Sequence, residues 1–326
     1  MGSSILPAVK AVGITGPPGG GKTTLWRAIT GGGARGEVGV VDVPDPRLDV
    51  LVAMESSRKR VPIQIQVADV HAAARSSAAA FAELRTMDAL MVVAPAFGGQ
   101  DPAPEIAAFG EELILADLGP FETRLNRARK DPAARADIPF LEAGMAHLEG
   151  GQPLRSRVWE PEELRAFAGL APLTLKPAVV VRNVDEGGLD SPAPDGFSVA
   201  AALEAEVTGL DPGEAADLLA AYGVAEPVAG RVVDAVYRLL DLITFLTTGD
   251  TESRAWEVRR GATAPEAAGV IHSDIQRGFI RAEIIGYDDL VAAGSWNAAK
   301  AKGVLRLEGK EYRMAEGDVC HFRFAV

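Results

Sequence analysis

Gly16-Pro17-Pro18-Gly19-Gly20-Gly21-Lys22-Thr23 decides the reading of this chain. The stretch fits G-x-x-x-x-G-K-[ST], a pattern with physical content only between a strand and a helix. Both flanks comply: Ala8 to Thr15 is apolar and β-branched, and Lys22 to Thr30 is helix-compatible. Glycines let the backbone wrap a phosphate closely, so that its N–H groups and the following helix N-terminus point at the anion. Lys22 is then expected to reach the outer phosphates and the Thr23 hydroxyl to ligate Mg²⁺. Gly16, Pro18, Gly19, Gly20, Gly21, Lys22, Thr23 and Thr24 form the expected nucleotide-phosphate contact set.

Further strand-type segments follow at Val38 to Val43, Val61 to Ala68, Ala89 to Ala94 and Ala178 to Val181, with helix-compatible stretches between several of them. That alternation predicts an α/β fold with a largely parallel, helix-covered sheet. A long helical excursion, roughly 104–170, interrupts it. Ile106, Phe109, Leu113, Leu118, Phe121 and Leu125 recur at helical spacing, and Lys130 to Asp137 reads as a tip. Asp137 is placed to cap a returning helix that starts near Pro139 and stops at Gly150-Gly151, giving an antiparallel hairpin. Its cations, Arg124, Arg127, Arg129, Lys130 and Arg135, read as a solvated face before they read as a partner surface. After a Pro/Gly loop over Ser191 to Gly196 come two helices, Pro212 to Tyr222 and Ala229 to Leu240. From about Leu242 short alternating segments take over (Ala255 to Arg259, Ile280 to Ile285, Val304 to Leu307, Glu311 to Met314, Cys320 to Val326) around a helix at Tyr287 to Ala293. The expected division is a nucleotide-binding domain over 8–240 and a small α+β domain over 241–326.

Composition narrows the function classes. The chain of 326 residues carries a formal charge of -12, and 241–326, with 11 Lys+Arg against 13 Asp+Glu, accounts for only -2 of it. Broad DNA coating needs a dense basic surface and is not expected. The apolar run Ala89 to Phe97 falls far short of the ~20 residues that span a bilayer. The start, Met1-Gly2-Ser3-Ser4, has no secretory pattern, and the single Cys320 reads as an inert buried thiol, so a cytoplasmic, membrane-free monomer is expected.

Two more positions carry the nucleotide chemistry. Asp69, directly after the strand Val61 to Ala68, is the candidate carboxylate for the metal; Asp42 and Asp45 sit among prolines that suggest a turn. Asn183-Val184-Asp185-Glu186 follows the strand Ala178 to Val181, where a base-reading motif belongs. It departs from the guanine reader N-K-x-D at two places, Val184 and Glu186, so guanine specificity is not supported.

With these residues in place, the chain resembles the YchF/Obg-like ATPases from the phosphate loop to the last residue. The elements that carry the likeness are Val38 to Val41 with Val43 to Asp49, Leu113 to Leu118, Asn183 to Glu186, and a C-terminal series: Arg254 to Trp256, Thr263 to His272, Gly278 to Glu283, Tyr287 to Leu290, Leu305 to Gly309 and Gly317 to Phe324. The resemblance implies a P-loop domain with an inserted helical hairpin and a C-terminal TGS domain of β-grasp shape. It also implies ATP as nucleotide, with Asn183 and Glu186 at the base and GTP as the alternative, and a cytoplasmic role at the ribosome through rRNA or ribosomal protein.

Several family features are changed. Only Gly31 to Glu37 separate the first helix from the second strand, where such ATPases carry a longer first switch. The family's D-x-x-G reads Asp69-Val70-His71-Ala72, and the second switch is the short Ala73 to Ala80. The histidine to which the family's catalysis is attributed has no counterpart in Phe97-Gly98-Gly99-Gln100-Asp101-Pro102, which leaves His71 and Gln100 as weak substitutes. Phosphoryl transfer rests on positioning and charge stabilisation, so losing a water-positioning group should slow hydrolysis and spare binding. A slowly hydrolysing ATP switch is therefore expected. The alternatives are a nucleotide-bound scaffold without turnover and, less favoured, a small-molecule kinase.

Overall fold

The computed structural model describes residues 9–32, 36–70, 77–191, 193 and 196–325. In chain order its elements are β1 (Lys10–Thr15), α1 (Lys22–Ile29), β2 (Val38–Asp42), α2 (Pro46–Glu55), β3 (Arg60–Val61), β4 (Gln64–Asp69), α3 (Ser77–Leu84), β5 (Ala89–Pro95) and α4 (Ala103–Lys130). Then follow α5 (Ile138–Glu149), α6 (Pro161–Ala168), β6 (Ala178–Asn183), β7 (Gly196–Val199), α7 (Ala201–Glu206), α8 (Pro212–Ala221) and α9 (Val228–Leu239). The last are β8 (Leu242–Thr247), β9 (Ser253–Arg259), α10 (Ala264–Ile271), α11 (Ser273–Arg277), β10 (Phe279–Gly286), α12 (Tyr287–Ala293), α13 (Trp296–Ala301), β11 (Arg306–Glu308) and β12 (Asp318–Phe324). Two compact units result, one of Lys10–Val41 with Gln66–Ala235, the other of Asp42–Ile65 with Val236–Val326.

The first unit is built on a six-stranded sheet in the order β2-β4-β1-β5-β6-β7, with β1 to β5, β5 to β6 and β6 to β7 parallel. Strand β5 lies in the interior and is buried at every position, which is why it reads as an unbroken apolar run. On one face Ala68, Val70, Leu90 and Val92 meet Leu84 of α3 and Phe109 and Leu113 of α4.

The hairpin forms as expected, α4 running out and α5 back, with α6 as a third helix that the periodicity did not separate. Phe121, Leu125, Leu141, Leu148, Trp159 and Phe167 make its own core. Gly144 is needed there, since a Cβ would stand 2.6 Å from Phe121. Asp137 does not cap α5; its carboxylate takes Arg124 at 3.1 Å instead, and Asp131 caps the 3-10 turn at Pro132–Asp137 through the Ala133 N–H. Pro120 lies inside α4, where its missing N–H leaves the Ala116 carbonyl without a helical donor. Arg85, just past α3, supplies one: its Nη2 donates to Ala116 O at 2.8 Å while Nη1 binds Asp117 Oδ1 at 2.8 Å. The fully buried Asp117 also accepts from the N–H groups of Leu173 and Thr174 and from the Thr174 hydroxyl.

The second unit holds the β-grasp sheet, β11-β10-β12-β8-β9-β3, in which β12 runs parallel to β8 between two antiparallel pairings. Helix α10 packs Ala264, Ala267 and Ala268 onto Phe245, Trp256 and Ile284. Two expectations about strands are corrected here. Val61 to Ala68 is not one strand, because Pro62 cannot donate to a ladder: β3 pairs with β9 of the second unit, and β4 belongs to the other sheet. By its contacts Asp42–Ile65 groups with the segment from Val236. Glu311 to Met314 forms only an isolated bridge, Thr263 to Arg313. The prolines at 44 and 46 open a helix: Asp45 caps α2 and, with Glu316, clamps Arg47.

Candidate nucleotide site

Gly16, Gly19 and Gly21 take φ of 128°, 74° and 84°, the left-handed region that favours glycine. The loop also lies against its floor. A Cβ on Gly16 or Gly20 would run into the Val93 carbonyl of β5, and one on Gly21 into Asn183 Nδ2. Gly21 ends the loop as the N-cap of α1, so the free N–H groups of that helix face the concavity. Pro18 and Gly19 are exposed at its crest; Thr24 is half-buried on α1.

Lys22 and Thr23 open α1 directly after the loop. Lys22 Nζ donates to the carbonyls of Gly16 (3.0 Å) and Pro17 (2.6 Å), arching over the loop. Burial holds this ammonium below the ordinary lysine value, partly offset by Asp69. The Thr23 hydroxyl donates to Asp69 Oδ2 at 2.6 Å, bringing the two expected metal residues together. Asp69 is 2% exposed, and its Oδ1 has no hydrogen-bond partner among the described residues. A buried carboxylate oxygen left unsatisfied fits a hydrated Mg²⁺, which keeps several waters and is held by one or two protein groups plus substrate phosphates.

The expected base residues Asn183 and Glu186 lie at the end of β6 and in the turn that follows it. Asn183 Nδ2 donates to Gly20 O at 3.1 Å and Oδ1 accepts from Ala201 N at 3.0 Å, so both ends of the amide brace the phosphate loop against α7. Glu186 is exposed in the turn after β6. Asp185, which sequence reasoning passed over, accepts the Gly98 N–H at 2.6 Å and pins the 97–102 loop to the base loop. The side chain of Gln100 is exposed. His71, Ala72 and 73–76 lie outside the described residues, as do 33–35 of the first switch. The other missed contributors are backbone groups, the Val93 carbonyl and the Ala201 N–H; the only trace of the second in the sequence is the run of small residues after β7.

A strand running into this loop, with a threonine and an aspartate meeting beneath it, defines a P-loop NTPase, here with a hairpin inserted after β5 and a second unit of β-grasp fold in the same chain. Comparison with known proteins agrees. Residues 242–325 match the family model YchF-GTPase_C, described as a protein of unknown function (DUF933). The Ribosome-binding ATPase YchF of Haemophilus ducreyi is 37% identical over 358 residues, covering 96% of this chain and 99% of that protein. The Obg-like ATPase 1 of Oryza sativa is 29% identical, covering 97% and 92%. The structure of the Schizosaccharomyces pombe YchF GTPase superposes with a TM-score of 0.85 at 28% identity over 97% of this chain and 98% of that one. The chain belongs to the YchF/Obg-like ATPase family.

Proposed function

We propose that this protein binds ATP with Mg²⁺ and hydrolyses it slowly, and that its nucleotide state sets engagement with the ribosome in the cytoplasm. The observation that carries the reading is the Thr23–Asp69 contact with its unsatisfied carboxylate oxygen beneath a glycine loop. Gly16, Pro18, Gly19, Gly20, Gly21, Lys22 and Thr24 hold the phosphates, Thr23 and Asp69 the metal. Glu186, with backbone groups at the end of β7, faces the base, and Asn183 acts through the loop it braces. Bound Mg²⁺ neutralises charge developing on the phosphates. Water attacks the γ-phosphorus, the bond to the bridging oxygen breaks with its electron pair leaving on ADP, and the water proton ends on the released phosphate.

Slowness follows from positioning: no histidine stands in 97–102, and exposed Gln100 is not fixed to orient a water. The ribosomal partner rests on the likeness to ribosome-binding ATPases that match nearly the whole chain. GTP stays an alternative nucleotide because one methylene at Glu186 is worth only about 1–3 kcal/mol of discrimination. A scaffold without turnover is favoured by the same bare loop. Calorimetric titration with non-hydrolysable ATP and GTP analogues plus Mg²⁺ tests the reading: the ATP analogue should bind and Lys22→Ala should lose at least tenfold in affinity. No binding by the parent protein refutes it, and zero phosphate release above Lys22→Ala over many hours leaves the scaffold.

A further inference from the structure

A groove of about 640 Å³ runs between α4 and α6 on the helical hairpin, lined by Arg124, Arg127 and Arg165 together with Gly119, Pro120 and Gly169. No carboxylate lines it, in a chain whose net charge is -12. A second groove, between α4 and α5, has the opposite character, with Glu122, Glu142 and Glu149 beside Arg129. Arg124 and Arg127 thus line one groove of α4 and Arg129 the other.

The three guanidiniums are available to a ligand. Arg127 makes no side-chain hydrogen bond or ion pair among the described residues. Arg124 is held by Asp137 at 3.1 Å and Arg165 by Glu162 at 2.6 Å, but both are exposed pairs that exchange partners at little cost. Arg124 and Arg127 stand three residues apart and so share one helix face. A planar guanidinium binds a phosphate bidentately, and the two glycines of the lining carry no side chain to obstruct one.

We propose that this groove binds the phosphodiester backbone of ribosomal RNA. The proposal rests on the ribosomal reading above and adds where contact is made and through which chemistry. Phosphate contacts position a protein without reading sequence, which suits a groove that offers arginines and few other polar side chains.

Co-sedimentation with purified 70S ribosomes and with protein-free ribosomal RNA, each over a salt series, tests it. Arg127→Glu should weaken both at least tenfold and lower the salt slope by about 1, while Arg129→Glu, in the acidic groove, leaves both within about twofold. ATP-analogue binding should be unchanged in both variants, which shows that they fold. Ribosome binding by Arg127→Glu equal to the parent's overturns the proposal and leaves the ribosomal reading standing. So does a parent protein that binds ribosomes but not bare RNA, since the groove would then serve a protein. A parent protein that binds neither overturns both.

Discussion

Lys22 shows how a single side chain prepares a phosphate site. It bonds the carbonyls of its own loop, and burial works against its charge. An arriving phosphate anion favours the protonated amine, so binding takes up protons as pH nears the lowered Lys22 value, and affinity falls as pH rises through it. As pH rises toward the ordinary lysine value of 10.5, a range where a terminal phosphate with a pKa near 6 is already ionised, the dissociation constant for an ATP analogue should climb steadily. Calorimetry in buffers of different ionisation enthalpy should show the proton uptake, and a flat profile would contradict it. The loop residues were legible in the sequence because glycine at 16, 19 and 21 answers a backbone demand that no other residue meets so cheaply. The brace at Asn183 was not, since its partner Gly20 lies 163 positions away and the same asparagine reads equally well as a base contact.

At the level of elements, periodicity carried the reading across Pro120 and correctly kept α4 whole. It gave no sign that the broken backbone bond is mended by Arg85, a residue on another helix's end whose guanidinium also holds Leu170 O and Ala171 O. Removing it leaves the fully buried Asp117 without its cation and the Ala116 carbonyl without a donor. Arg85→Ala should cost about 3–5 kcal/mol in urea unfolding, and Arg85→Lys most of that, because a point charge cannot serve the fork. A loss below about 1 kcal/mol would show that Asp117 is satisfied by Thr174 and the backbone alone. The misread elements have equally local causes. Pro62 splits an apolar run in two, and Glu311 to Met314 alternates like a strand yet lacks a neighbour with which to form a ladder beyond one bridge.

For the molecule as a whole, both sheets were legible as classes, but their membership was not. Nothing in the composition of Asp42–Ile65 says that Asp45, Arg47 and β3 serve the same unit as residues near the C-terminus. Within that unit Cys320 sits fully buried on β12, its thiol pushed up by burial and by Asp318. A thiol reagent should therefore label the native protein at the rate at which this unit opens, and labelling should become rapid only across the unfolding transition. Fast stoichiometric labelling of the folded protein would contradict the packing described here.

The split membership of the second unit also sets a schedule for synthesis. Domains generally fold as units, N-terminal parts first, while the chain is still being made. Asp42–Ile65 emerges early, yet β9, to which β3 pairs, comes only after all of the first unit, and β12, which joins β10 to β8, is the last strand of its sheet to be translated. A nascent chain halted before Asp318 holds that early segment without its finished sheet, so this unit can close only once β12 has been translated.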